Sequence, residues 1–424
     1  MKSKLTALLK KYNIFDIFIL SSGSLISQII KIFSQPIASR IYTPAQFGII
    51  ALISELSSMF NSITSFQYEL CIVSADTDEE ADKLTGMCFY LLLFTSALFF
   101  LGLFIFNRFS PETYSSAGPL IYFSVVLFFF VGLANILRYY NNRYSQYKLM
   151  SYVVILSSVV YAVLKIGLGL LGAGVFGLLF ATLIVDVVGV RKRSKTLLEN
   201  KSRVFRVKPA EIKQLLIKYI AQPLAHTPGM FLLSYSFSVI PIFMMSLYGD
   251  LSYIGYYSQT TAILVLPLTL ICNNVSSIFF KNACVEMNTT GCFKNAFKTT
   301  SIFLLAIALP PFLLLYWLAP WAFGFFFGEQ WVTSGLYARL LIPMFFTRFI
   351  ATSVNCGLVV CKKQKINLIT NGSLLVVSFV IYYITKTAAL PIESFLSLLS
   401  ILYSLVYTIK FIIIFKFAQG VKKI

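Results

Sequence analysis

Charge is what this 424-residue chain has least of: only 12% of its residues are Asp, Glu, Lys or Arg, against about 25% in soluble domains. With 58% hydrophobic residues and a mean hydropathy of +0.81, that scarcity excludes a soluble fold. There is one histidine, His226, and no Cys/His spacing that suits zinc, so neither a metal nor a cofactor is expected. The seven cysteines fall in no loop assigned to the outside, which argues against a disulfide framework. A phosphate-cradling Gly-rich loop and a nucleophile elbow are both missing. The outer loops are short and carry no paired acids, so an enzyme is not expected. The N-terminus has lysines before its first apolar run but no small-residue cleavage site. It reads as an uncleaved tail leading into a membrane helix.

What the chain has instead is long apolar runs. Twelve are assigned, roughly 16–39, 47–74, 86–107, 117–137, 150–172, 174–190, 219–247, 253–280, 300–320, 335–361, 366–388 and 394–416. Each is near the ~20 residues that a helix needs to cross a bilayer. Between the sixth and seventh lies the one clearly soluble stretch, 191–218, whose ten basic residues are opposed only by Glu199 and Glu211. The expected organisation is an N-terminal six-helix bundle (1–190), a basic cytoplasmic connector (191–218) and a C-terminal six-helix bundle (219–424). This layout places 27 of the 35 lysines and arginines on the connector's side, and only Arg40, Arg108 and Lys386 in outer loops. The bias follows the positive-inside rule. It puts both termini in the cytoplasm and reads the net charge of +19 as a topology signal rather than a nucleic-acid patch.

An internal echo supports duplication. Pro36, Tyr42 and Gly48 recur in order as Pro241, Tyr248 and Gly255, with each spacing longer by one. A second echo links Gln146-Tyr147-Lys148, after the fourth span, with Lys363-Gln364-Lys365, after the tenth. Six spans per half is an even number, so the repeats would be parallel, with the working site expected between them.

Polar residues inside the spans are the candidate site, because a charge at bilayer depth costs at least ~2.5–3.5 kcal/mol and defaults to a functional role. In the first span, Ser24, Ser27, Gln28, Lys31, Ser34 and Gln35 fall on one helical face. In the second, Glu55, Ser58, Ser62, Ser65 and Glu69 form a comparable stripe. In the tenth, Arg348, Thr352 and Asn355 share a face. Lys31 and Arg348 are the candidates for holding an anionic headgroup; the competing reading of Lys31 is an ion pair with Glu55. Lys165 could equally snorkel or face a cavity. Asp186, Arg339 and Lys410 read as interfacial anchors, and Pro223 and Pro228 around His226 suggest a broken seventh helix.

At this point the residues match a known family. The chain resembles the Wzx-like polysaccharide flippases of the multidrug/oligosaccharidyl-lipid/polysaccharide exporter superfamily. The resemblance is carried by Gly23-SLISQIIKIFSQPIASRIYTPAQF-Gly48, the Tyr68-Glu69-LCIV run, the Arg143-YSQYK stretch and the two-by-six layout. It implies an all-α membrane protein of about twelve transmembrane helices in two pseudo-symmetric six-helix bundles, V-shaped and working by alternating access. The substrate class it implies is an undecaprenyl-diphosphate-linked oligosaccharide, carried from the cytoplasmic to the periplasmic leaflet of a bacterial inner membrane for O-antigen, lipopolysaccharide or capsule assembly. Substrate-binding candidates are then Lys31, Arg348, Gln28, Gln35, Asn355 and Lys165, with Glu55 and Asp186 as candidates for coupling to H+ or Na+. Beside the bilayer, the partners it brings into consideration are a polysaccharide polymerase and a chain-length regulator. The alternative is an ion-coupled small-molecule or multidrug exporter of the same superfamily, which would want fewer basic and more acidic or aromatic groups in its cavity.

Overall fold

Apolar sequence becomes helix almost throughout, because a backbone in hydrocarbon must satisfy its own N–H and C=O groups. The computed structural model describes residues 14–109, 117–199, 201–205 and 207–420. The lysines of the N-terminal tail, Arg206, Lys422 and Lys423 lie outside them. The first half runs α1 (Ile14–Ile41), α2 (Pro44–Met59), α3 (Glu69–Ser74), α4 (Asp78–Phe109), α5 (Phe123–Arg143), α6 (Tyr147–Leu170) and α7 (Gly174–Val187). The connector forms α8 (Val190–Arg193), α9 (Lys195–Glu199), α10 (Lys201–Phe205) and α11 (Pro209–Lys218). The second half runs α12 (Ala221–Tyr248), α13 (Leu251–Leu264), α14 (Asn273–Thr290), α15 (Lys294–Phe327), α16 (Val332–Ser353), α17 (Gly357–Val360), α18 (Gln364–Thr387) and α19 (Ile392–Ala418).

Among the described residues, ten helical segments are long and apolar enough to cross a membrane, and they coincide with the third to twelfth predicted runs. The first run is the 28-residue α1. Large apolar side chains such as Phe33, Leu171 and Trp317 stand exposed along the helices, as lipid-facing surfaces require. Pro310, Pro311 and Pro320 sit inside the unbroken 34-residue α15. The seventh span is likewise one helix, with Pro223 and Pro228 both in its first third; the expected break there is absent, since a proline near a helix start removes few hydrogen bonds.

The break falls in the second span instead. α2 stops at Met59, and Phe66 and Gln67 take left-handed backbone angles of φ 51° and 62° before α3 begins. The expected stripe from Glu55 to Glu69 on one helical face therefore does not form. Polar residues at Asn61, Ser62, Thr64 and Ser65 offer the backbone local partners, and neighbours complete the turn. Thr95 Oγ1 donates to the Thr64 carbonyl at 2.7 Å, and Thr227 Oγ1 to the Phe66 carbonyl at 2.9 Å. The eighth span is interrupted by a π-helical stretch, Leu268–Cys272, between α13 and α14.

The chain separates into two compact units: the described part of Met1–Tyr42 with Leu52–Ser234, and Thr43–Ala51 with Tyr235–Ile424. The connector packs within the first. Gly86 of α4 approaches it so closely that a Cβ there would stand 1.8 Å from the Val204 carbonyl oxygen. Phe205 lies 5.5 Å from Phe89 between ring centres, and its carbonyl accepts from the Tyr90 hydroxyl at 2.9 Å. Ion pairs complete the attachment: Lys218 reaches Asp76 (2.8 Å) and Glu80 (2.5 Å), and Lys83 reaches Glu79 (2.9 Å) and Glu211 (3.0 Å). Arg143 ties down the acidic loop through Asp78 at 3.0 Å and the carbonyls of Val73 and Ala75.

Inside the second unit, Thr43–Ala51 packs on the start of α13, and the contact is reciprocal. A Cβ on Gly48 would stand 1.9 Å from the Leu251 carbonyl oxygen; one on Gly255 would stand 1.9 Å from that of Pro44. Each repeat glycine thus abuts the residue four positions before the other. The repeat tyrosines also match in role: Tyr42 donates to the carbonyl of Lys165, late in α6, and Tyr248 to that of Leu390, just past α18. The second echo has the same geometry at both sites. Ser145 and Lys362 adopt φ 53° and 56°, and the next residues, Gln146 and Lys363, bond back five positions to Asn141 and Leu358. This is the glycine-type helix cap built on non-glycine residues.

Candidate functional site

Small residues position the candidate side chains of the first unit. On α1, Gly23 lies against Ser151 of α6, where a Cβ would meet its Oγ at 2.0 Å, and Ser27 shares a 2.5 Å hydrogen bond with Ser158. Such residues let membrane helices approach closely, where packing rather than water drives association. The predicted polar face of α1 therefore divides. Ser27 and Ser34 are buried, Gln28 and Gln35 are half-buried, and Ser24 and Lys31 remain exposed.

The close approach brings Gln35 to Lys165. Lys165 is 1% exposed, donates from Nζ to Gln35 Oε1 at 2.7 Å, and lies 5.3 Å from the Tyr161 ring centre. In this conformation it is a core lysine and does not snorkel. Lys31 sits near enough for its charge to act on Tyr161 and on Asp186 of α7, and Asp186 also feels Arg193. Arg193 interacts in turn with Arg138 of α5, whose charge reaches the buried Glu69. Lys31, Asp186, Arg193, Arg138 and Glu69 are thus ionisable neighbours within the first unit. Asp186 belongs to this set and is the last residue but one of α7. Glu55, on α2, is half-buried. Arg193 follows Asp186 by seven residues, but Gly189, with φ 81°, breaks the helix between them, so helical spacing carried no signal for it and its place in the connector hid it.

Arg348 organises the candidate residues of the second unit. On α16 it is half-buried, with its guanidinium 4.0 Å from the Phe237 ring centre of α12 and 5.7 Å from that of Phe345. Its charge acts on Tyr403 and Tyr407 of α19 and on Cys272 in the π-helical stretch. Around it, hydroxyls knit α12, α18 and α19 together: Tyr403 donates to the Ser236 carbonyl at 2.8 Å and shares a 2.6 Å bond with Ser378. The Tyr407 hydroxyl is buried without a hydrogen-bond partner among the described residues. Thr352 lies on α16, but Asn355 lies past its end, in the turn before α17, so the expected shared face stops at Ser353. The Asn355 side-chain oxygen is also buried without a hydrogen-bond partner among the described residues.

Two further lysine and arginine assignments differ. Arg339, expected as an interfacial anchor, donates to the carbonyls of Tyr316 and Trp317. Lys410 is not such an anchor. It is 6% exposed and donates to Asn367 Oδ1 at 2.7 Å, because it lies eight residues, or about 12 Å, inside the end of α19. Among the described residues, no group of three or more His, Cys, Asp or Glu is placed to hold a metal ion. All seven cysteines are free thiols.

The family model described as "Polysaccharide biosynthesis protein" matches residues 37–335. The chain belongs to that family. No protein of curated function matches the sequence. Among solved structures, the family's fold is shared by an inward-facing multidrug-resistance MATE transporter of the MOP superfamily, with TM-score 0.60 and 16% identity over 94% of this chain and 93% of that one. The lipid II flippase MurJ, in an inward closed conformation, matches with TM-score 0.61 and 15% identity over 95% and 91%. A MOP superfamily transporter from Pyrococcus furiosus, described as having a binding pocket of reverse polarity, matches with TM-score 0.55 and 16% identity over 96% of each chain. The fold of this polysaccharide biosynthesis protein is therefore the one that these MOP superfamily transporters have: all-α, multi-pass, with about twelve membrane helices.

Proposed function

We propose that the protein flips an undecaprenyl-diphosphate-linked oligosaccharide across the bacterial inner membrane by alternating access, for assembly of O-antigen or a capsule. Its termini would be cytoplasmic, its coupling ion H+ or Na+ through Asp186 and Glu55, and its assembly partners a polymerase and a chain-length regulator. The observation that carries this reading is Arg348. It is half-buried at membrane depth, stacked on Phe237, and has no carboxylate within ion-pairing distance among the described residues. A cation kept there without a fixed counter-charge suits an anionic cargo, and guanidinium matches phosphate oxygens in a bidentate fashion. Lys31, exposed on α1 and free of any ion pair among the described residues, supplies a second positive group. Gln28, Gln35 and Asn355 are the polar groups offered to sugar hydroxyls, with Lys165 behind Gln35. Membership in a polysaccharide biosynthesis family, and the likeness to a protein named a lipid II flippase, favour this cargo.

The likeness to a MATE transporter, together with the acidic groups Glu69 and Asp186 in the first unit, supports a second reading: an ion-coupled small-molecule exporter. Gene deletion in the native host separates the two. Lipid-linked repeat units should accumulate facing the cytoplasm, rescued by the wild-type gene but not by stably inserted Lys31→Ala or Arg348→Ala. Rescue by both variants would remove these residues from the site. Absence of any accumulation, with intermediate synthesis intact and no second flippase, would put the exporter first.

A further inference from the structure

The connector carries a feature that transport of any particular cargo does not use. Arg191, Lys192, Lys195, Leu198 and Glu199 line an open groove of about 610 Å³ where α7 gives way to α8 and α9. Arg191, Lys192 and Lys195 are exposed, and against the single Glu199 they leave the groove net positive. Lys192 is fixed in place: its Nζ lies 3.2 Å from the Tyr152 hydroxyl and 4.3 Å from the centre of that ring. Tyr152 stands in the second turn of α6, and tyrosine favours the depth of the headgroups. From it runs an apolar track: Tyr152, Val159, Val163 and Leu170 are 48%, 40%, 63% and 73% exposed. Their steps of seven, four and seven residues keep them on one helical face. Leu198 adds a further exposed apolar side chain, at 52%, to the groove itself.

We infer that this groove binds the headgroup of an anionic phospholipid from the leaflet on the connector's side, with the acyl chains lying along Val159 and Val163. The positive groove and the apolar track are continuous through Tyr152, and only an amphiphile with a negative head occupies both. A soluble anion would use the bases and leave the track bare; a neutral lipid would do the reverse. The Lys192–Tyr152 contact holds one donor in position before the ligand arrives, which lowers the ordering cost of binding. Such a lipid would brace α8 and α9 against α6 beside Arg193, which interacts with Asp186. The inference stands independently of what the protein carries.

Native mass spectrometry of the purified full-length protein tests it, using phosphatidylglycerol and phosphatidylcholine with identical acyl chains. Wild type should retain phosphatidylglycerol preferentially, and the preference should fade as salt rises. Each juxtamembrane base contributes about fivefold. Lys195→Gln should therefore reduce the preference about fivefold, and Arg191→Gln/Lys192→Gln/Lys195→Gln roughly a hundredfold. All three side chains are solvent-exposed, so the variants should melt as wild type does; Tyr152→Ala provides an independent loss that leaves every charge in place. Equal retention of the two lipids by wild type, or an unchanged preference in the natively melting triple variant, would overturn the inference. Displacement by glycerol phosphate at matching concentration would reduce the groove to an anion site. Displacement by undecaprenyl diphosphate at lower concentration than phosphatidylglycerol would reassign it to the cargo.

Discussion

The reciprocal glycine contact makes a quantitative prediction. In Gly48→Ala the new Cβ would sit 1.9 Å from the Leu251 carbonyl oxygen, and in Gly255→Ala 1.9 Å from that of Pro44. Ordinary contact begins near 3.4 Å, so α2 and α13 must part by about 1.5 Å. Neither neighbour is a flexible side-chain tip; both are backbone at the start of a helix. Overpacking of this kind costs about 1–3 kcal/mol. Each single variant should therefore melt below wild type, and the double variant should lose clearly less than the sum. Once one Cβ has spread the helices, the second enters a gap already opened, and coupled neighbours depart from additivity by ~0.5–3 kcal/mol. The buried thiols of Cys71, Cys88 and Cys272 provide the assay, reacting with a thiol-specific fluorophore as the protein unfolds. Gly102→Ala is the control, since nothing lies within 4 Å of its would-be Cβ; it should melt at or above wild type, alanine being the better helix former by ~1 kcal/mol. Full additivity of Gly48→Ala and Gly255→Ala, or a loss in Gly102→Ala as large as theirs, would refute the reasoning.

The attachment of the connector should depend on pH in a definite direction. Hydrogen bonding to Lys218 holds the Asp76 carboxyl below its ordinary range, and the Lys208 backbone N–H, followed by Lys83, does the same for Glu211. A depressed carboxylate stabilises the folded state above its unfolded pKa and ceases to as pH falls through its folded one. Hydrogen-exchange protection in α11, corrected for intrinsic rates, should accordingly drop below about pH 4; constant protection down to pH 3 would contradict it. Gly86→Ala should expose α10 and α11 to protease by pushing Val204 off α4, and an unchanged cleavage pattern would deny that contact its role. Lys165→Met keeps the volume of a lysine that is 1% exposed and should melt within ~1 kcal/mol of wild type or above it. Lys165→Ala, by leaving a void, should lose ~2–5 kcal/mol, and equal melting of the two variants would count against a packed core lysine. Tyr403→Phe removes the donor to the Ser236 carbonyl and should cost ~1–3 kcal/mol, read by the same thermal assay; wild-type melting would mean the hydroxyl network around Arg348 contributes nothing.

Hydropathy made eleven of the twelve spans legible, because lipid forces an apolar run of sufficient length into helix. The second span escaped for the same reason. Its average hydropathy is that of a helix, while the break at Phe60–Tyr68 is built from hydrogen bonds to Thr95 and Thr227, residues distant in sequence. On α1 the shared face was legible and its depth was not, while the faces expected on the second and tenth spans were broken by turns. Three- and four-residue spacing placed Lys31 and Gln35 together on α1, and both do lie there. It could not show that Gln35 turns toward Lys165 while Lys31 remains exposed, since that depends on where Gly23 and Ser27 let α6 approach. Lys410 was misjudged on similar grounds: distance from a helix end is readable, but Asn367 of α18 is what makes burial tolerable there.

The repeat was legible in spite of its weakness, and the structure supplies the physical cause. Three residues in order, Pro, Tyr and Gly, are poor statistics in an apolar chain. The Tyr and the Gly of each copy are constrained by a backbone partner rather than by a side chain that could drift. Gly48 and Gly255 are held small by carbonyls of Leu251 and Pro44. Tyr42 and Tyr248 are held by carbonyls of Lys165 and Leu390. A side-chain partner can change with its contact, as the divergent residues around both motifs have done, whereas a backbone atom offers the same obstacle or acceptor whatever residue carries it. A duplicated chain should therefore retain its echo where side chain meets backbone and lose it where side chain meets side chain. Lys31 and Arg348 fall in the second category: each occurs in one half only, and their roles had to be read from depth and charge because no repeat reports on them.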